Sequence, residues 1–270
     1  MKPAWTGLLS MLLTSFVFAH DFFLYPSSFR VKEKEKVKIA IHVDDLFPGK
    51  AVKWNAQRVL RFEQWFGSIS NDLRKKDPEE DSSGVFVSVE GSGINMFALD
   101  WAARLIELKP NQFKHYLESE GLEHVLQMRR QSDEENKNGR ERYSRFVKTL
   151  VNSGQNNAQS LSKVVGQTIE LVPLDNPYGM KVGDSIRVQL LFLGRPLPNA
   201  LVSSTYAGAS DKADTYAQSG RTNDQGMVYV KLIRSGPWLV RSVHMLPLVN
   251  NKDADWESWW ASITFEVKSQ

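Results

Sequence analysis

Alternating apolar and polar residues predict β-strands in the first third of the chain. The clearest case is Val37–Val43, in which every second residue is a branched aliphatic. This period of two is typical of a strand that is buried on one face. No helical pattern separates these segments, which favours a small antiparallel β-sandwich over a parallel sheet. The shorter strand candidates are Val59–Phe62, Val85–Val89 and Leu105–Leu108.

The period changes to that of a helix after residue 108. Pro110 suits a first helical turn, and apolar residues at positions 113, 117, 125 and 128 mark one face of two short helices that Gly121 separates. Farther along, apolar or aromatic residues at positions 143, 146, 147, 150 and 151 follow the spacing of an amphipathic helix. We therefore expect a third helix over 143–151, followed by a polar linker over 152–162.

The last hundred residues again predict strands, separated by turn signals such as Asn223–Gly226. Short strands at close spacing favour a sandwich of the immunoglobulin or transthyretin type. The expected fold is mainly β: two small β-sandwich domains over 20–108 and 163–270, joined by a short helical segment and linker over 109–162. The C-terminal strand candidates are Ile186–Phe192, Leu201–Ser203, Met227–Val230, Trp238–Val240 and Ile263–Val267.

Composition narrows the class of protein. A hydrophobic content of 41% is enough to form cores, and a formal net charge of only +3 argues against a nucleic-acid partner. The chain has no cysteine, which excludes disulfides, thiolate metal sites and cysteine nucleophiles. The sequence also lacks phosphate-binding, dinucleotide-binding and hydrolase motifs, so we do not expect an enzyme.

The first nineteen residues predict a cleavable signal peptide. A basic start at Lys2 is followed by the apolar run Gly7–Phe18 and then by Ala19, which suits the last residue before signal-peptidase cleavage. The run is shorter than the roughly 20 apolar residues that a permanent membrane span needs. We expect a periplasmic protein without a membrane span after cleavage, beginning at His20; a retained membrane anchor is the alternative.

An amino-terminal histidine is a metal chelator by its position. The α-amine has a pKa of about 7.7–8.0 in model peptides, so a metal displaces its proton easily near neutral pH. The amine and the Nδ1 atom of His20 close one six-membered ring around a metal, and a second imidazole opposite completes a histidine brace. A nitrogen-rich tetragonal site of this kind favours Cu(II) or Ni(II). The alternative is a histidine that follows the cleavage site by chance.

The best candidate for the second imidazole is His244, near the end of a predicted strand, although a buried core histidine is the alternative. Asp255 follows closely and offers a further ligand, or an acceptor that orients an imidazole, unless it lies in a solvated loop. His42 is a weaker candidate and suits an ordinary strand residue better. The remaining histidines, His115 and His124, lie among charged residues of the predicted helices, as solvent-exposed residues do.

Seven segments together carry a resemblance that spans the chain after residue 19. They are His20–Leu24, Tyr116–Leu122, Arg140–Arg145, Glu170–Pro173, Gly194–Ala200, Trp238–Met245 and Ala254–Phe265. With these segments in this order, the sequence resembles a bacterial family of exported proteins that is classed as a domain of unknown function (DUF4198) and often described as a nickel-uptake, NikM-like component. The resemblance implies a periplasmic, mostly β protein with a C-terminal sandwich, and it supports a metal role for His20 and His244 but not for His42.

These observations predict a non-catalytic periplasmic protein that binds nickel, cobalt or copper and supports its uptake or delivery. A metal transporter or an outer-membrane receptor is the expected partner. Two alternatives stay open. One is a copper-dependent oxidoreductase, because a brace with an open position can bind an oxygen species. The other is an envelope binding or scaffold module without metal, because a sandwich fold does not determine function.

Overall fold

The part of the protein that the structure describes consists of three packed β-sheets and two short α-helices. The computed structural model describes residues 20–76, 78 and 82–269, so the predicted signal peptide lies outside the described residues. The expected mainly β fold is confirmed. The helices are α1 (Pro110–Ser119) and α2 (Glu123–Gln131). The strands are β1 (Asp21–Pro26), β2 (Arg30–Val31), β3 (Lys36–Asp44), β4 (Lys50–Ala51), β5 (Val59–Phe66), β6 (Ile69–Asp72), β7 (Gly84–Ser88), β8 (Gly93–Leu108), β9 (Gly139–Ser153), β10 (Ile169–Pro173), β11 (Ser185–Phe192), β12 (Arg195–Pro196), β13 (Leu201–Tyr206), β14 (Gln218–Arg221), β15 (Met227–Lys231), β16 (Gly236–Pro247) and β17 (Trp256–Val267).

A nine-stranded sheet forms the middle layer. Its order is β14-β13-β16-β17-β9-β8-β5-β6, and the short β2 also pairs with β9. Strands from the two ends of the chain meet where β17 runs parallel to β9, with Trp256 beside Glu141 and Thr264 beside Thr149. The two halves of the chain therefore share one continuous sheet. Its strand β9 lies within 109–162, the segment expected to join two separate domains.

A smaller sheet covers each face of the middle layer. On one face, the sheet of β1, β3, β4 and β7 buries a core that includes Ile39 and Ile41 from β3 and Phe97 and Leu99 from β8. On the other face, the sheet of β10, β11, β12 and β15 buries a second core around Trp238. Side chains alternate between faces along a strand, so β8 and β9 contribute to both cores.

The predicted helix over 143–151 is wrong, because this segment lies inside β9. Phe146 and Leu150 pack into the core around Trp238, whereas Val147 and Val151 pack into the core of the first sheet. A strand that is buried on both faces has apolar residues without a strict alternation, and short apolar runs of this kind are ambiguous between helix and strand.

The two short helices confirm the prediction for the segment after residue 108. Pro110 stands at the start of α1, and Gly121 lies between the helices with a positive φ of +65°. A Cβ atom there would also meet the side chain of Leu201 at 2.8 Å, so the turn favours glycine. Phe113 and Val125 pack against Trp260 and its neighbours in a third core. No helix in the described ranges is long and apolar enough to cross a membrane.

Candidate functional site

His20 immediately precedes β1 and lies beside an acidic side chain. β1 and β3 pair antiparallel, with Asp21 opposite Asp44. The residue before Asp21 therefore lies opposite the residue after Asp44, which brings His20 to Asp45. The Nδ1 atom of His20 is 2.6 Å from Oδ1 of Asp45, and 41% of the His20 side chain is exposed. The strand pairing thus joins two groups that are both common metal ligands.

A buried ion network lies directly behind His20. Arg241 of β16 contacts Asp21 at 2.6 Å and both carboxylate oxygens of Glu120 at 2.6 and 2.9 Å, and Tyr216 donates to Asp21 at 3.0 Å. Burial raises the pKa of Asp21 to about 6 against the attraction of Arg241. Burial alone would lower the pKa of Arg241, but Asp21 and Glu120 raise it well above its usual value. The network fixes the backbone that carries His20.

Asp214 adds negative charge near His20. This residue lies at the exposed surface, where partial desolvation followed by the charge of Asp45 raises its pKa. Arg241, His115 and His20 act in the opposite direction. Two carboxylates therefore lie close enough to repel each other beside the imidazole, an arrangement that favours a bound cation.

His244 lies in a different part of the molecule. Its ring is 4.6 Å from the ring of Phe192 and 5.9 Å from that of His124. Burial and then the neighbouring His124 lower its pKa to about 4. His20 lines a cavity of about 400 Å³ and His244 lines another of about 420 Å³, and no residue that the structure describes lines both. The structure therefore does not bring His244 to His20.

The other two predicted ligands have partners of their own. The Nδ1 atom of His42 is 2.7 Å from the carbonyl oxygen of Pro48, its ring lies near that of Tyr25, and burial lowers its pKa. Asp255 accepts two hydrogen bonds from Arg140, at 2.9 and 2.5 Å, which hold its pKa below the usual value. Both side chains thus have partners within the protein.

In residues 20–76, 78 and 82–269, no three His, Asp or Glu side chains converge as a ready metal site. A metal site at His20 would therefore need a ligand from the backbone, such as a free amine. Sequence reasoning missed Asp45 as the partner of His20. It also missed Arg58, Arg104 and Arg145, which line the same cavity as His20 and for which the sequence offers no motif.

Glu141 is a buried carboxylate in the wall of the His20 cavity. Burial raises its pKa to about 7, although hydrogen bonds from Ser258 and Tyr116 oppose the shift. A carboxylate in the unfolded chain titrates near 4.3, so the native protein binds the extra proton between these values. The protein should consequently lose stability as the pH rises through this window.

We expect the substitution Glu141→Gln to remove this loss. The free energy of unfolding of the variant, relative to the original protein, should rise by about 1–3 kcal/mol between pH 5 and pH 8, measured by urea unfolding. Glu118→Gln on the exposed face of α1 is the matched control and should show no such trend. A difference for Glu141→Gln that is constant with pH would contradict the assignment.

Comparisons with known proteins give a family but no function. The family model described as "Domain of unknown function (DUF4198)" matches residues 17–246. No curated protein matches the sequence. Similar solved structures include the D0-D1 domain of intimin, with 12% identity over 91% of this chain and 97% of the other, and a TM-score of 0.22. Another is dimeric latent PorU from Porphyromonas gingivalis, with 11% identity over 92% of this chain and 20% of the other, and a TM-score of 0.21. At these TM-scores the likenesses carry no argument.

Proposed function

The chain belongs to the DUF4198 family, and from that premise we propose that it is an exported periplasmic protein that binds nickel, cobalt or copper at His20. The contact of 2.6 Å between Nδ1 of His20 and Oδ1 of Asp45 carries the proposal. In this proposal the ligands are the imidazole of His20, its α-amine after cleavage behind Ala19, and the carboxylate of Asp45. His244 is not part of the set.

The chemistry of His20 supports the proposal. Its amine and Nδ1 atom close a six-membered chelate ring, and a neutral amine is accessible near pH 7 because its pKa is low. A carboxylate adds an anionic oxygen, and these three donors suit a first-row divalent ion. Acidification should weaken binding, because protons compete for each donor.

The spacing of the donor atoms also supports it. Two ligand atoms at right angles around a metal, each at about 2.0–2.1 Å, are about 2.9 Å apart. The separation of 2.6 Å between His20 and Asp45 suits a shared proton. A small movement of the half-exposed imidazole would let a metal replace that proton.

On one side of His20, two carboxylates favour a cation. Partial desolvation and then the charge of Asp45 raise the pKa of Asp214, so these two carboxylates repel each other. A divalent ion beside Asp45 would relieve that repulsion. A role in metal uptake or delivery, with a transporter or an outer-membrane receptor as the partner, follows from this binding and belongs to the same proposal.

Isothermal titration of Ni(II) and Cu(II) into a chain that begins at His20 tests the proposal. Asp45→Asn should weaken binding by about 10–100-fold, and one extra residue before His20 should weaken it at least as much, because the chelating amine is then lost. Asp44→Asn, one residue away, and His244→Gln are matched controls that should bind as the original chain does.

Two results would contradict the proposed site. One is unchanged affinity after the extra residue is added, which would show that the amine is not a ligand. The other is a loss of affinity in His244→Gln that equals the loss in Asp45→Asn.

A further inference from the structure

The cavity beside His20 has a basic wall that the metal proposal does not use. It measures about 400 Å³ and lies between β3, the ends of β8 and β9, and the turn before β5. Arg58, Arg104 and Arg145 all line it. The volume falls within the range of small-molecule sites.

The three guanidinium groups are close enough to repel one another. Burial and then Arg104 lower the pKa of Arg58. Burial is also the main cause of the lowered pKa of Arg145; Arg58 and Arg104 contribute to it, and Tyr143 and Asp21 oppose it. The folded protein therefore concentrates positive charge here at a free-energy cost, which an anion would reduce.

No ion pair within the described ranges neutralises this charge. Nine other arginines form ion pairs with carboxylates, whereas none of these three lies within 4 Å of one in the described ranges. The Nε atoms of Arg58 and Arg145 are buried and have no hydrogen-bond partner. Glu141, the carboxylate in the wall, instead accepts hydrogen bonds from Tyr116 and Ser258. Buried polar atoms without partners are uncommon, and they suit a ligand-binding site.

Aromatic rings orient the guanidinium groups. Arg145 lies over the rings of Phe22 and Tyr143, at 4.7 and 5.0 Å, and Arg58 lies over the ring of Trp101 at 5.5 Å. Stacking occupies the faces of the guanidinium planes. One edge N–H of Arg58 donates to the carbonyl oxygen of Ala102 and one of Arg145 to that of His20, and the other edge N–H groups are left for a ligand. Trp260 adds a further apolar surface to the wall. A ligand that fits this lining combines an anionic group with an apolar body.

We propose that this cavity binds a small organic carboxylate, whose charged group contacts Arg58, Arg104 and Arg145 and whose apolar body packs against Trp101 and Trp260. Guanidinium groups bind carboxylates through paired hydrogen bonds, which the planar edges allow. The two proposals use different side chains, because no guanidinium group is a metal ligand, but His20 lines the same cavity. Metal-depleted protein is therefore the right material for the test.

Benzoate and benzamide are suitable probes because they have the same shape and differ in charge. In calorimetric titrations of the metal-depleted chain beginning at His20, benzoate should bind at least about tenfold more tightly than benzamide. Arg104→Gln and Arg58→Gln should each weaken benzoate binding by about tenfold or more and leave benzamide binding unchanged. Arg104 is exposed, so its replacement should not disturb the core.

Arg142→Gln is the matched control. Arg142 lies on the same strand as Arg145 but pairs with Glu257, and its loss removes the same charge without touching the cavity. Equal affinities for benzoate and benzamide, or equal losses in Arg142→Gln and Arg104→Gln, would overturn the proposal. Phosphate binding as tight as benzoate binding would also overturn it, because the site would then recognise an inorganic anion.

Discussion

Replacing Arg241 with methionine should lower the free energy of unfolding by about 3–5 kcal/mol. Arg241 is 4% exposed and is the shared partner of Asp21 and Glu120, which are also buried. Without the guanidinium, two carboxylates would face each other in the interior with no opposite charge. Urea unfolding of the variant at pH 7.5 measures the loss.

The loss should shrink as the pH falls. Burial already raises the pKa of Asp21 to about 6, and removal of Arg241 would raise it further. The folded variant would then bind a proton more strongly than the unfolded chain, which stabilises it below that pKa. Arg187→Met breaks an exposed pair with Asp175 and should cost less than about 1 kcal/mol. A deficit for Arg241→Met that grows between pH 7.5 and pH 4.5 would refute the account.

Replacing Lys148 with methionine should have an effect of similar size, about 3–5 kcal/mol. Lys148 of β9 contacts Glu170 at 2.7 Å, and each side chain is 1% exposed. Glu170 also accepts hydrogen bonds from the backbone N–H groups of Val165, Gly166 and Gln167, at 2.7, 2.9 and 3.0 Å. The carboxylate would stay fixed in place after the substitution, but without its counterion.

The double variant Lys148→Met/Glu170→Gln separates charge from packing. A neutral amide still accepts some of the three backbone hydrogen bonds, so the double variant should regain part of the stability that Lys148→Met loses. Lys114→Met, which breaks an exposed pair with Glu118 on α1, is the control and should cost less than about 1 kcal/mol. A double variant less stable than Lys148→Met would show that the unpaired charge is not the cause.

The strands with one buried face were predictable from the sequence, and β9 was not. In β3, Val37, Ile39 and Ile41 pack into the core, and the period of two is visible. In β9, the burial of Lys148 breaks the usual relation between charge and exposure. A lysine among apolar residues is typical of the polar side of an amphipathic helix. Only the pairing with Glu170, 22 residues away, explains why Lys148 is buried in a strand.

The candidate site was predictable only in part. The position of His20 after the predicted cleavage site made it a candidate, but its contact with Asp45 depends on the register between β1 and β3, which no local pattern specifies. Arg58, Arg104 and Arg145 come from distant segments and resemble ordinary surface residues in the sequence. Only the folded sheet brings them to one cavity.

The position of β17 has a consequence for assembly. This strand comes late in the chain, yet it lies between β16 and β9 in the interior of the nine-stranded sheet. Until residues 256–267 are in place, β9 and β16 each present a long row of unsatisfied backbone donors and acceptors, which can recruit strands from other molecules. Folding therefore depends on a contact of long sequence separation, which makes it slow and leaves the incomplete sheet prone to aggregation.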